Sequence, residues 1–174
     1  GSTSGIATTG AHQTTYGGSY EAFLVKFNSS GVRLWGTYYG GTGADIGASC
    51  ATDMSGNVYL AGYTQSTTGI ATTGAHQTTS GGSYDAFLVK FNSSGVRQWG
   101  TYYGGTAFDE GISCATDASG NVYLAGLTLS SAGITTTGAH QTTFGGGSSD
   151  AFLVKFNSSG VRQWGTYYGG TGYD

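Results

Sequence analysis

The segment AFLVKFNSSGVRLWGTYYGGT at 22–42 returns as AFLVKFNSSGVRQWGTYYGGT at 86–106, and again unchanged at 151–171. Trp35, Trp99 and Trp164 mark a period of 64 and then 65 residues. A fixed period of this length makes each copy one supersecondary unit, which covers its apolar faces by stacking on its neighbours. The chain has 34 Gly among 174 residues and no Pro, so turns are frequent, and the Gly has no collagen-like Gly-X-Y period. Aromatic residues make up 14%, too many for a disordered chain.

Each copy reads as strands. In the third, 111–117 (GISCATD) forms a short strand, Ala118-Ser119-Gly120-Asn121 a turn, and 122–128 (VYLAGLT) a second strand. A Gly/Thr/Ser-rich excursion of about twenty residues follows. Then come 151–156 (AFLVKF), the turn Asn157-Ser158-Ser159-Gly160, and 161–168 (VRQWGTYY). Two tight hairpins and one longer link give four antiparallel strands, here called a to d. In AFLVKF, Phe152, Val154 and Phe156 fall on one face and Ala151 and Leu153 on the other. Both faces are apolar, as in small sheets stacked face to face around an axis. The expected fold class is all-β: β-propeller blades, about two and a half. A solenoid rung would be much shorter, and an immunoglobulin-like unit would need about seven strands. No segment carries a helical apolar stripe.

GISCATDASGNVYLAG followed by DAFLVKFNSSGVRQWGTYYGG resembles the bacterial SBBP propeller repeat, and GNVYLAG with AFLVKFNSSG is similar to the related NHL-type blade. The resemblance covers nearly the whole chain. It implies a secreted or surface-displayed propeller, often part of a larger multi-repeat protein, and carries over no catalytic residue. The link around GIATTGAHQTT is longer than in an NHL blade.

The expected division is a half blade (strands c and d) at 1–42, blades at 43–106 and 107–171, and the start of a further repeat at 172–174. Such an arc leaves apolar faces bare. A segment of a longer repeat chain is the favoured expectation. A ring-closing oligomer and a stable open arc are the alternatives. Near-identical copies also invite swapping between chains.

Net charge is −3 and only 9% of residues are charged, so no basic stripe points to nucleic acid. No apolar run is long enough to span a membrane. Each repeat carries one Lys and one Arg: Lys26 with Arg33, Lys90 with Arg97, Lys155 with Arg162. Acids recur at Asp53 and Asp117 in the a–b turn, and at Glu21, Asp85 and Asp150 before strand c. One internal ion pair per blade is expected, holding the hairpins in register. His12, His76 and His140 sit in TGAHQTT, one per copy, without further ligands, so local hydrogen bonding in the link is expected rather than a metal. Cys50 and Cys114 share one repeat position and are expected as buried thiols.

Asp45, Asp109 and Asp174 follow Gly-Gly-Thr, an arrangement that invites a calcium reading. With only one or two acids per segment, capping of the loop into strand a is the preferred role, and no cofactor is expected. The paired tyrosines Tyr38-Tyr39, Tyr102-Tyr103 and Tyr167-Tyr168 point to opposite faces of strand d and are expected mainly to pack between blades, with some exposed at the edge.

No nucleophile motif or phosphate loop appears, so the expected class is not an enzyme. The copies differ mainly in the d-to-a and b-to-c links. Partner contacts are therefore expected there, at Tyr16, Asp45, Tyr63, Phe108, Asp109, Glu110 and Phe144. The expected function is an extracellular or cell-surface scaffold that binds protein or glycan through rim loops. A lectin-like propeller with one weak site per blade is the alternative.

Overall fold

Each copy of the repeat folds as antiparallel hairpins whose two tight turns lie at one end and whose long links lie at the other. The computed structural model describes all 174 residues. Its first sheet pairs β1 (Ala22–Phe27) with β2 (Arg33–Tyr39). The second has the order β3 (Asp45–Thr52), β4 (Val58–Thr64), β5 (Asp85–Phe91) and β6 (Arg97–Tyr103). The third holds β7 (Asp109–Thr116), β8 (Val122–Thr128), β9 (Asp150–Phe156) and β10 (Arg162–Tyr168), again in chain order. These are propeller blades in an arc that does not close.

Side chains build the turns. Asn92 Oδ1 accepts from the backbone N–H groups of Ser94 at 3.0 Å and Val96 at 2.9 Å, and Gly95 follows at φ 82°. Asp53 does the same at the β3–β4 turn, accepting from Ser55 and Asn57. An Asx side chain thus replaces the turn's missing backbone partners, and Gly takes the left-handed position at no steric cost.

Burial then follows the alternation. All seven residues of β5 are buried. Phe87, Val89 and Phe91 pack with Leu24, Trp35 and Tyr39 of the first sheet. Ala86 and Leu88 pack on the other side with Leu124, Phe152 and Phe156 of the third sheet. Each apolar cluster therefore lies between two sheets, and each fully buried Phe contributes roughly 1.5–3 kcal/mol. Where no sheet follows, the pattern breaks: Phe152, Val154 and Phe156 of β9 are buried, while Ala151 and Leu153 on its far face are only half-buried.

The long links are not free loops. The link after β4 returns along the outer edge of β6. Thr72 N–H donates to the Gly100 carbonyl at 2.9 Å, Gly100 N–H to Thr72 Oγ1 at 3.3 Å, and Tyr102 N–H to the Gln77 carbonyl at 3.2 Å. The same bonds recur at Thr8–Gly36 and Gln13–Tyr38, and at Thr136–Gly165 and Gln141–Tyr167. Each blade covers its own open strand edge.

Both thiols are free. Cys114 is buried, its backbone N–H donating to Ser49 Oγ at 3.2 Å, but Cys50 is exposed. The expectation of two buried thiols fails at Cys50 because no innermost strand precedes β3 to cover that face.

Candidate functional site

The most faithfully repeated side chains join blade to blade. Trp35 Nε1 and Lys26 Nζ both donate to the Ser93 carbonyl of the next sheet, at 3.1 and 3.2 Å. Trp99 Nε1 and Lys90 Nζ repeat this on Ser158, at 3.2 and 3.0 Å. Tyr39 packs at a tilt against Phe87 and edge-on to Phe91, and donates its hydroxyl to the Ile70 carbonyl at 2.6 Å. Tyr103 meets Phe152, Phe156 and Ile134 in the same way. These rings are spent on packing, as expected of the tyrosine pairs; of the six, only Tyr168 is exposed.

The expected ion pairs form within both four-stranded sheets. Lys90 lies 3.9 Å from Asp53 and Lys155 lies 3.8 Å from Asp117. Lys26 has no carboxylate partner, because the two-stranded sheet lacks the a–b turn; it bonds the Gly56 and Ser93 carbonyls instead. Burial alone would raise the Asp53 carboxyl, but hydrogen bonds from Asn57 and Ser55 and the Lys90 ammonium hold it below its ordinary value. The acids before strand c take another task. Asp85 accepts from Ser80 Oγ at 2.5 Å and from Gly81 N–H at 2.9 Å, pinning the end of the link. Arg97 likewise bonds a link carbonyl, that of Gly69, at 3.1 Å.

The histidines depart from expectation. None makes a hydrogen bond within its link; each is used as a ring. His12 sits 6.0 Å from Tyr39 and 5.8 Å from Phe91, and His76 sits 5.9 Å from Tyr103 and 5.8 Å from Phe156. His12 and His76 therefore bridge successive blades, His140 lies only on Tyr168 of its own sheet, and the three do not converge. Packing of one ring face, with Arg97 or Arg162 nearby, lowers both from 6.5 to about 4, although the rest of each side chain reaches solvent.

Among the expected contact residues, Asp45 and Asp109 are corrected. Both are buried and serve the fold. Asp45 accepts from Gly41 N–H at 2.9 Å, from Ser66 Oγ at 2.9 Å and from the Thr64 hydroxyl. Asp109 repeats this with Gly105, Ser130 and Thr128. The expected loop-capping role is what these two carboxylates perform. Burial raises the Asp109 carboxyl against the pull of these donors, and the Asp85 carboxylate adds to the rise. Asp85 Oδ1 is buried without a hydrogen-bond partner beside Gly104, where a Cβ would lie 2.5 Å from both Asp85 Oδ1 and Asp109 Oδ2. Tyr16 and Phe144 are half-buried and lie edge-on to Tyr38 and Tyr167 of their own strands d.

Two of the remaining residues, Tyr63 and Phe108, gather at the link end with Tyr84. Tyr63, Tyr84 and Phe108 form a half-buried triangle with ring centroids 5.6, 6.1 and 5.3 Å apart. Tyr84 was not among the expected residues, since it lies just before the near-constant strand c. Burial, the Glu110 carboxylate and Tyr84 together push the Tyr63 phenol up. The corresponding residues are Tyr20 and Ala44 in the first copy, and Leu127, Ser149 and Tyr173 in the third, so this triangle exists once.

Grooves of a second kind recur. The largest, about 820 Å³, is lined by His76, Lys90, Gln98, Trp99 and Arg162 together with the Thr72–Ala75 stretch. A smaller one, about 390 Å³, lies beside Trp35 between the first two sheets, and another, about 470 Å³, lies beside Trp164 on the uncovered face of the third sheet. All three share threonine hydroxyls around a Trp edge, and only the largest adds cationic side chains, Lys90 and Arg162.

Residues 34–70 match the family described as SBBP, Beta-propeller repeat. The chain thus contains an SBBP-type propeller repeat, as the sequence motifs imply. No curated protein matches the chain.

Proposed function

We propose that this protein is a non-enzymatic interaction scaffold, displayed outside a bacterial cell, whose link-end rim binds a protein partner. The single observation that supports this is the Tyr63–Tyr84–Phe108 triangle with Glu110 beside it. It is the place where residues differing between copies form a half-buried aromatic cluster. Tyr and Phe supply large contact area at low entropy cost, and aromatic residues are enriched at interfaces. The repeated side chains, by contrast, are committed to joining blades, and repetition works against the single convergence of unlike groups that catalysis needs. Secretion rests on the resemblance to SBBP repeats, and no helix is long and apolar enough to cross a membrane. The test is crosslinked capture of a protein from the cell surface by the wild-type chain and by a Tyr84→Ser, Phe108→Ala double variant. Capture lost in the variant, with circular dichroism unchanged, supports the reading; equal capture by both removes it.

The second reading is a weak glycan site in each Trp-edged groove, supported by the recurrence of a Trp edge beside threonine hydroxyls. A glycan array probed with the wild-type chain and a Gln98→Ala, Arg162→Ala variant separates the two readings, because neither substitution touches the aromatic triangle.

A further inference from the structure

The two ends of the arc are complementary, and we propose that they dock on one another between two copies of this chain, head to tail. The argument compares equivalent residues. Phe87 and Phe91 are 0% exposed because Trp35, Tyr39 and His12 of the preceding sheet cover them. Their equivalents in the first sheet, Phe23 and Phe27, are 55% and 56% exposed. Tyr39 and Tyr103 are 0% exposed under the following sheet, whereas Tyr168 at the last strand is 68% exposed with His140 stacked on it at 5.9 Å. One end thus presents the sockets of an interface the molecule already makes twice, and the other presents its knobs.

The match extends to the polar groups and to backbone clearance. At both internal junctions the indole of one sheet lies over a turn glycine of the next. A Cβ at Gly95 would be 2.8 Å from the Trp35 ring, and one at Gly160 would be 2.7 Å from the Trp99 ring. At Gly31, the equivalent glycine, nothing lies within 4 Å. The docked pair places the Trp164 indole over Gly31 of the second copy. It also places Trp164 Nε1 and Lys155 Nζ on the Ser29 carbonyl, and the Tyr168 hydroxyl on the Ile6 carbonyl. These are the partners that Trp99, Lys90 and Tyr103 take on Ser158 and Ile134. The contact joins unlike faces, so it closes only if the rotation per sheet allows it. The first sheet has no a–b hairpin, so each end-to-end contact covers only the outer half of a blade face. It is weaker than an internal junction and depends on concentration. The inference is independent of what the rim binds.

The test is sedimentation velocity of the full 174-residue chain over a wide concentration series, with Phe27→Glu and Tyr168→Glu as variants. Both side chains are more than half exposed in the single chain, so circular dichroism should be unchanged. Wild type should associate as concentration rises, and each variant alone should associate about tenfold or more weakly, as for loss of an interface anchor. A mixture of the two should recover association, because the Phe27→Glu chain keeps its tail and the Tyr168→Glu chain keeps its head; such pairs stop at two copies. A wild-type chain that stays monomeric throughout overturns the proposal. So do variants that associate like wild type, or a mixture no better than its parts, which would place the contact between like ends.

Discussion

The Trp99 indole N–H donates to the Ser158 carbonyl across the blade boundary at 3.2 Å, and the same ring lies over Gly160 of that turn. Gly160 therefore meets two demands, a φ of 81° and the clearance for an indole. Gly31 occupies the same turn position at φ 75° with open space around it. Gly160→Ala should destabilise the chain by about 2–4 kcal/mol, whereas Gly31→Ala should cost only the backbone term of about 1–2 kcal/mol. Urea unfolding at low protein concentration gives both values, and equal losses would show that the indole clearance is irrelevant.

Tyr103 donates its buried hydroxyl to the Ile134 carbonyl at 2.5 Å. Tyr103→Phe leaves that carbonyl without its donor and should lower stability by about 1–3 kcal/mol. Tyr168→Phe, at an exposed ring, should leave the dilute chain unchanged. The pair of unfolding curves decides whether the repeated tyrosines hold blades through their hydroxyls or only through their rings.

Cysteine labelling should separate the two thiols. Burial pushes the Cys114 thiol up to about 11, while Cys50 is exposed. A maleimide or disulfide reagent at neutral pH should modify Cys50 quickly and Cys114 only on unfolding, since the thiolate is the reacting form. Mass spectrometry of timed aliquots reads the order, and equal rates would contradict the covered face of β7.

Acid should loosen the blade junctions. His12 and His76 are lowered in the folded chain, so the unfolded chain binds their protons first. The stability they contribute is present above pH 6.5 and declines as pH falls toward about 4. Asp53, also lowered, removes stability further into acid, below the ordinary carboxylate range. Asp109, raised by burial, acts in the opposite sense and gives stability back on protonation. Unfolding midpoints measured from neutral to mildly acidic pH should fall, and a His12→Gln, His76→Gln double variant should show a flatter decline. An identical slope in the variant would clear the histidines of the effect.

Much of the fold was legible because its signals are local. Asn-Ser-Ser-Gly and Asp-x-Ser-Gly-Asn turns carry their own Asx hydrogen bonds, and AFLVKF shows two apolar faces in its alternation. The order of strands, their division among sheets and the bare ends follow from these. The course of the long links was not legible, because the bonds that seat them on β6 come from Thr72, Gln77 and Thr101, which recur with the repeat but follow no strand alternation within it. Asp45 and Asp109 resembled rim residues by position, and only the arrangement of Thr64, Ser66 and their equivalents shows them to be internal caps. The histidines were read as polar residues when their contacts are those of rings. Tyr84 escaped because it stands one residue before a repeated acid position, whereas its partners Tyr63, near the end of β4, and Phe108, in the link before β7, are positions that differ between copies. That juxtaposition exists only after the second and third sheets are stacked.

The seating of each link along its own outermost strand limits how this molecule can grow. An unsealed outer edge would let one sheet extend into another by backbone pairing, the geometry of a ribbon or fibril. Here Gly36, Gly100 and Gly165 already spend their outward groups on the link's threonines, so a newcomer finds no ladder to join at that outer edge. What the bare end faces offer instead is angular. Addition proceeds around the axis, face by face, and every step turns the assembly toward its own beginning.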